Sequence, residues 1–204
     1  MRQNTYNYLA LGDSYTIGEK VSLKQNFPYQ TIRLLKKRKI HFNEPTIVAT
    51  TGWTTDELQD ALTKVRLALP FNIVTLLIGV NNQYRGRTVE DYTPQFTQLL
   101  EQAISYAGGD ATHVIVLSIP DWGVTPFAKG RNRTKIAKEI NAYNAVNKLI
   151  AKKYGVHYIH ITSLTRQAGK DLSLLAKDRL HPSAKDYSRW AEKVAAKIET
   201  ILTK

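Results

Sequence analysis

The sequence contains no cysteine. That absence excludes disulfide bonds, cysteine metal sites and catalysis by a thiol, and it fits a reducing compartment without proving one. Long hydrophobic runs are also missing: the longest, Ile73 to Val80, is interrupted by Thr75 and is far too short to cross a bilayer. The first residues are polar and include no apolar segment of signal-peptide length. We therefore expect a soluble, cytoplasmic protein, and a secreted protein whose signal peptide has been removed is the alternative.

Internal repeats, low-complexity tracts and linker-like segments are absent from the 204 residues as well. A chain of this length buries enough apolar surface to fold without disulfides or structural metals. We expect one domain that covers residues 1–204. His157 and His160 lie three apart in a predicted strand and therefore point to opposite faces, so we expect no shared metal site.

Charge is unevenly balanced, with 29 Lys and Arg against 17 Asp and Glu and a formal net charge of +12. One basic cluster, residues 33–39, ends a predicted helix, where cations complement the negative end of the macrodipole. The other, residues 129–138, surrounds the start of a later helix. Neither cluster is interleaved with stacking aromatic residues, which disfavours nucleic acid as a partner. A solvated basic surface, or a general attraction for anionic substrates or surfaces, explains the charge better.

Strand and helix patterns alternate along the whole chain. We predict strands at 6–11, 46–49, 72–78, 113–118 and 156–161, with helices between them and a last helix after Ser183. Thr54 and Glu57 form a capping-box pattern, and apolar residues keep helical spacing from Leu58 through Val65 to Leu69. The alternation predicts an α/β fold, a three-layer α/β/α sandwich around a five-stranded parallel sheet with the flavodoxin-like order 2-1-3-4-5.

A small hydroxyl residue, Ser14, follows the first predicted strand in the sequence Gly12-Asp13-Ser14. A serine becomes a nucleophile when a base lies within hydrogen-bond reach and that base is oriented by a carboxylate. Asp178 and His181 supply both groups near the end of the chain. The alternative is structural: Gly-Asp-Ser is a common turn composition, and Asp178 can act as the cap of a helix entry.

Other candidate residues also follow strand ends. Gly52, Asn81 and Trp122 come after the second, third and fourth strands, and Asp178 and His181 come after the fifth. Parallel strands end at the same edge of a sheet, so we expect these residues to converge with Ser14 on one crevice.

These blocks, Gly12-Asp13-Ser14, Gly52, Gly79-Val80-Asn81 and Asp178-Arg179-Leu180-His181, resemble the four blocks of the SGNH hydrolases, also called GDSL esterases/lipases. The resemblance covers nearly the whole chain. A Gly-x-Ser-x-Gly elbow is missing, which argues against the ordinary α/β-hydrolase fold.

The resemblance implies hydrolysis of carboxylic esters through an acyl-enzyme, with no metal and no organic cofactor. Ser14 would attack, His181 would accept its proton and Asp178 would orient the imidazole. The oxyanion hole would consist of the backbone N–H groups of Ser14 and Gly52 and the side-chain amide of Asn81.

The chain departs from the family pattern in two places. Asn82 follows Asn81 where the family often has aspartate, a position outside the triad, so this difference concerns the hydrogen bonding of the loop. Tyr15 and Thr16 replace the leucine that gives the family its older name.

Several side chains are candidates for the surroundings of the site. Tyr15, Trp53 and Trp122 are candidates for a substrate pocket, although large aromatic residues at strand ends often belong to the core. Arg85 and Arg87, with Tyr84, either meet an anionic substrate group or form a solvated loop.

The predicted substrate is a small-molecule ester. The sequence has no insertion long enough for a hydrophobic lid, which favours short acyl groups or acetyl esters. A lysophospholipase or thioesterase of the same family is the nearest alternative. A non-catalytic flavodoxin-like binding module, in which Gly12-Asp13-Ser14 shapes a turn or receives an anion, is the rival from another class.

Overall fold

The computed structural model describes residues 5–68 and 70–203. The strands in these ranges are β1 (Thr5–Tyr6), β2 (Tyr8–Asp13), β3 (His41–Phe42), β4 (Thr46–Thr50), β5 (Ile73–Leu77), β6 (Val114–Leu117) and β7 (His157–Ile159). The α-helices are α1 (Ser14–Ile17), α2 (Phe27–Lys37), α3 (Thr55–Lys64), α4 (Val80–Tyr84), α5 (Val89–Tyr106), α6 (Arg133–Lys153), α7 (Thr162–Thr165) and α8 (Ala184–Leu202). Short 3-10 helices lie at Leu23–Gln25, Ala111–His113, Trp122–Val124, Pro126–Ala128, Arg166–Gly169 and Leu172–Leu174.

Five strands form the main sheet in the order β4-β2-β5-β6-β7, and all neighbouring pairs are parallel. This arrangement confirms the predicted order 2-1-3-4-5. β2 and β5 are buried along their whole length, which explains their nearly continuous apolar sequence. β2 therefore lies inside the sheet, and its carboxyl end is located between those of β4 and β5.

Helices cover the sheet in two groups. α2 packs on α8, whereas α5 packs on both α3 and α6, so the three-layer prediction is confirmed. Side chains of Thr88, Asn132 and Ser183 cap the long helices by accepting from the backbone N–H three residues later. The apolar faces of these helices join one core with the strands, in which Phe96 and Trp190 are fully buried.

The first predicted strand, 6–11, is wrong as a single element. Asn7 interrupts it: its N–H donates to Oδ1 of Asn72, and its carbonyl accepts from the N–H groups of Asn72 and Ile73. The residues before Asn7, β1, pair in parallel with β3 in a separate two-stranded sheet. The polar side chain at position 7 thus marks the point where the chain changes from one sheet to the other.

The helix predicted from Leu58 onward is shorter than its apolar spacing suggests. α3 ends at Lys64, and Val65 is extended, with φ −92° and ψ 130°, and 42% exposed. Residues 65–68 belong to no helix or strand. Leu69 lies outside the described residues. In the two described ranges, no helix combines the length and apolar character that a membrane crossing requires.

Candidate active site

Ser14 sits where β2 changes directly into α1. Asp13, the last residue of the strand, caps the helix, and its Oδ1 accepts a 2.9 Å hydrogen bond from the backbone N–H of Tyr15. As the first helical residue, Ser14 has a backbone N–H without an intrahelical acceptor. Its side chain lies at the floor of a crevice, and the residue is only 3% exposed. The turn therefore presents both the hydroxyl and a backbone donor at one point.

Asp178 and His181 occupy a tight loop held by backbone hydrogen bonds from Ala176 to the carbonyl of His181 and from Arg179 to the carbonyl of Ala176. Arg179 has φ +58°, a left-handed conformation that is uncommon for a residue other than glycine. The loop folds back so that Oδ1 of Asp178 accepts from the N–H groups of Leu180 and His181, both at 3.1 Å. The carboxylate is thus fixed by its own loop.

Burial alone would raise the pKa of Asp178. The hydrogen bonds from the His181 ring and from the two backbone N–H groups outweigh it and hold the pKa below its usual value. Asp178 is consequently ionised at neutral pH.

Ser14, His181 and Asp178 form a continuous hydrogen-bonded chain. Oγ of Ser14 lies 3.0 Å from Nε2 of His181, and Nδ1 of His181 lies 2.6 Å from Oδ2 of Asp178. An ionised carboxylate only accepts hydrogen bonds, so Nδ1 carries the proton and the neutral imidazole offers Nε2 as the acceptor. This arrangement can take the proton from Ser14 as its oxygen attacks a carbonyl carbon.

Gly52 and Asn81 are the other two residues that the sequence analysis assigned to the crevice. Gly52 follows β4 with φ +86°, a conformation that glycine adopts without strain. Asn81, in α4, uses Nδ2 to donate 2.9 Å to the carbonyl of Trp53, and the same nitrogen lies 3.4 Å from Oδ2 of Asp13. Both residues line the same crevice as Ser14 and His181.

Asn82 has a different environment from its neighbour. It is fully buried, its Oδ1 accepts from the N–H of Thr55 and its Nδ2 donates to Oγ1 of Thr55. The first residue of α3 is thereby attached to α4. The asparagine that replaces the family's aspartate satisfies both a donor and an acceptor of the loop and lies away from the reacting groups.

Asp13 is a buried carboxyl beside the nucleophile. Burial raises its pKa to about 7, despite the hydrogen bond from the N–H of Tyr15. The group therefore exchanges its proton close to neutral pH, a property that the sequence pattern does not reveal.

The crevice is a cavity of about 160 Å³ with mainly apolar walls. Trp122 and Tyr15, two of the three predicted pocket residues, line it, together with Val80, Tyr84, Phe127 and Leu180. The ring centroids of Tyr84 and Trp122 are 5.2 Å apart, and those of Trp122 and Phe127 are 6.0 Å apart. Tyr15 instead contacts the imidazole of His181, with 5.0 Å between the ring centroids.

Other predictions about the surroundings need correction. Trp53 does not line the cavity: its side chain packs against the core, and only its carbonyl reaches the site through Asn81. Arg85 and Arg87 pair with Glu57 and Asp56 and do not line the cavity, so of the two alternatives the solvated loop describes them better than contact with an anionic substrate group.

Phe127 was missed by the sequence analysis. It lies in a 3-10 helix just beyond Trp122 and is 47% exposed at the cavity. The signal that was available is an aromatic residue directly after Pro126, in an irregular segment that follows a strand end.

A sequence profile of the GDSL-like lipase/acylhydrolase family matches residues 10–189. The chain belongs to this family. It is therefore an enzyme that hydrolyses ester bonds, and the resemblance of its four sequence blocks is confirmed. A sequence search among curated proteins returns no match.

Solved structures with the same fold cover nearly the whole chain. The structure of TesA superposes with a TM-score of 0.74 at 17% identity and covers 97% of this chain and 99% of its own. Axe2, an acetylxylan esterase from Geobacillus stearothermophilus, has the same TM-score and identity and covers 97% and 96%. The psychrotrophic esterase EstA from Pseudoalteromonas sp. has a TM-score of 0.68 at 16% identity and covers 98% and 100%. These similarities show the fold.

Proposed function

We propose that this member of the family is a serine esterase that cleaves short-chain carboxylic esters, including acetyl esters, through an acyl-enzyme formed on Ser14. The observation that carries the proposal is the unbroken chain of hydrogen bonds from Ser14 through His181 to Asp178, at 3.0 and 2.6 Å. Separate elements supply its members, since Ser14 and His181 are 167 residues apart in the sequence.

In the acylation step, Oγ of Ser14 forms a bond to the ester carbonyl carbon while its proton passes to Nε2 of His181. The carbonyl oxygen then carries the negative charge of a tetrahedral intermediate. Collapse of this intermediate breaks the bond to the alcohol oxygen, which leaves with the proton from His181. Asp178 keeps the imidazole in the required tautomer and stabilises its positive charge.

In the second step, water gives its proton to His181 and attacks the acyl-enzyme, and the carboxylic acid leaves as Ser14 regains its proton. Both steps build charge on the same oxygen. The backbone N–H groups of Ser14 and Gly52 and Nδ2 of Asn81 are the donors assigned to it, because all three residues line the crevice beside the nucleophile. The long 3.4 Å contact of Nδ2 with Asp13 leaves that hydrogen available to a developing oxyanion.

Cavity size supports a short acyl group. The cavity measures about 160 Å³, and an apolar protein cavity of about 150 Å³ accommodates a benzene molecule. An acyl chain of up to about six carbons fills a similar volume. Acetyl esters of sugars are also candidates, because Axe2, which shares the fold, is an acetylxylan esterase. Exposed aromatic rings of Tyr84 and Phe127 border the cavity and can contact an apolar leaving group.

Two measurements test the proposal. A fluorophosphonate probe should label Ser14 and no other serine, as peptide mapping would show. Nitrophenyl esters from acetate to decanoate should then give the highest kcat/KM at six carbons or fewer. A label on another serine, or no label at all, would refute the role of Ser14. Highest activity on decanoate, a lysophospholipid or an acyl thioester would keep the serine chemistry and favour the lysophospholipase or thioesterase alternative.

A further inference from the structure

Arg85 links the two loops that surround the nucleophile. It directly follows α4, and its Nη2 donates a 2.7 Å hydrogen bond to the carbonyl oxygen of Gly52. Its Nη1 donates 3.1 Å to Oε1 of Glu57 in the first turn of α3. Glu57 is itself fixed, because its other oxygen accepts from the backbone N–H of Thr54 at 2.8 Å. The guanidinium is therefore held between an anchored carboxylate and the Gly52 loop.

Asn81 and Arg85 act on consecutive peptide groups. Arg85 binds the carbonyl of Gly52, and Asn81, four residues earlier on the same face, binds the carbonyl of Trp53. On the other side of Gly52, the hydroxyl of Thr51 donates to the carboxylate of Glu19. Side chains thus hold the chain before, at and after Gly52.

Gly52 needs such external restraint. Glycine at φ +86° is free of steric strain, but the same freedom lets its peptide groups rotate more easily than those of other residues. A donor in an oxyanion hole is effective when its direction is fixed before charge develops on the substrate. A Cβ at Gly52 would lie 3.8 Å from Nη2 of Arg85, so the guanidinium packs directly beside this backbone.

We propose that Arg85 is a positioning residue: it fixes the peptide group between Gly52 and Trp53 and, together with the Thr51 hydrogen bond to Glu19, restricts rotation of the adjoining peptide group, whose N–H is aimed at the oxyanion. The inference rests on the proposed function of this site. Arg85 affects the geometry of the site more than the stability of the fold. The Arg85 and Glu57 side chains are 41% and 39% exposed, and exposed ion pairs contribute little to the free energy of unfolding. Loss of Arg85 should therefore lower kcat while the fold and the KM are nearly retained.

Arg87 provides a matched control. It pairs with Asp56 in the same first turn of α3, through Nη1 at 2.5 Å and Nη2 at 3.3 Å, whereas the hydrogen bond to the Gly52 carbonyl comes from Arg85. Arg85→Met and Arg87→Met therefore each remove one arginine–carboxylate pair from the same helix end.

The experiment compares these two variants with the unmodified protein on one short-chain nitrophenyl ester. We expect Arg85→Met to lower kcat by about 10- to 100-fold, the scale of a misplaced catalytic group, with KM changed by less than about threefold. Phosphonylation of Ser14 by the fluorophosphonate should slow by a similar factor, because the phosphoryl oxygen occupies the oxyanion hole. Arg87→Met should stay within about threefold of the unmodified kcat.

The results separate this inference from the proposed function. If Ser14 in the unmodified protein fails to react with the probe, the proposed function is wrong. If Ser14 reacts and Arg85→Met keeps its kcat, only the positioning role is wrong. An Arg87→Met variant as slow as Arg85→Met would also refute that role, because the loss would then follow from the end of α3.

Discussion

The indole Nε1 of Trp122 donates a 2.7 Å hydrogen bond to Oε1 of Gln83, and Nε2 of Gln83 donates 2.8 Å to Oε2 of Glu139. An indole only donates and an ionised carboxylate only accepts, so an amide is the group that connects them. Gln83 is 5% exposed, as is Trp122. The chain of bonds fixes one wall of the substrate cavity from α6, through α4.

Gln83→Leu removes both hydrogen bonds and leaves the buried indole N–H without its acceptor. We expect the free energy of unfolding to fall by about 1–3 kcal/mol. We also expect KM to increase more for hexanoate esters than for acetate esters, because the Trp122 side chain is no longer fixed. Denaturant unfolding and steady-state kinetics on both esters measure this. Glu139→Gln is the control, since it keeps an acceptor for Nε2 of Gln83. An unchanged ratio of the two KM values in Gln83→Leu would contradict the prediction.

Asp178→Asn tests the orientation of the base. The asparagine can place an N–H against Nδ1 of His181, which favours the tautomer with its proton on Nε2, where Ser14 needs an acceptor. By analogy with the Ser-His-Asp template, we expect kcat to fall by about 10⁴ with little change in KM. Circular dichroism shows whether the variant is folded. A folded variant with kcat within tenfold of the unmodified enzyme would mean that Asp178 does not orient the base.

Asn81→Ala and Asn82→Ala should differ in kind. Asn81→Ala removes an oxyanion donor, so we expect kcat to fall by roughly 10²–10³ at nearly constant KM. Asn82→Ala leaves the N–H of Thr55 without its partner, so its main effect should be a stability loss of about 1–3 kcal/mol. Kinetics and thermal unfolding of both variants give the comparison. The assignment of the donor is wrong if folded Asn82→Ala loses more kcat than Asn81→Ala.

Asp13→Asn tests the buried carboxyl. Its pKa is about 7 in the folded protein and about 4 in the unfolded chain, so the folded state binds the extra proton between these values. The free energy of unfolding should therefore decrease through this group as pH rises from about 4 to about 7, and stay constant above. The Asp13→Asn variant keeps an acceptor for the Tyr15 N–H, but it has no carboxyl group at position 13 and should lack this change of the free energy of unfolding with pH.

Stability measured at pH 4.5 and 7.5 for both proteins isolates the effect. The free energy of unfolding of Asp13→Asn, minus that of the unmodified protein, should increase by about 1–4 kcal/mol from pH 4.5 to pH 7.5, since each pKa unit corresponds to about 1.4 kcal/mol. The contribution of Asp56 does not interfere, because hydrogen bonds from Arg87 and Thr54 overcome the effect of burial and lower its pKa to about 2. A difference that does not vary with pH would show that Asp13 does not titrate here.

The sheet order and the convergence at its edge could be predicted from the sequence because both depend on periodicity and on where strands end. Ser14, Asn81 and His181 follow strands whose parallel order brings their carboxyl ends together. The details that were missed depend on tertiary contacts. Asn7, where the strand is divided, binds Asn72, which is 65 positions away in the sequence, and Trp53 packs against the core.

The arginines show the same limit. A sequence does not indicate which carboxylate an arginine will meet, so Arg85 and Arg87 looked equally available to a substrate. In the fold, each binds a different acidic residue of α3, and only Arg85 also reaches Gly52. The two arginines differ in where their side chains point in the fold, which residue type and spacing do not reveal.

The separation of 167 positions between Ser14 and His181 has a consequence for biosynthesis. At about 5–20 residues per second, a ribosome makes the base roughly 10–30 s after the nucleophile. Under the proposed mechanism, Ser14 has no base throughout that interval, so the nascent chain should not hydrolyse esters. Under the same mechanism, hydrolysis should begin only when the segment from Asp178 to His181 has been made and has packed beside Ser14, so the appearance of esterase activity should report the completion of folding.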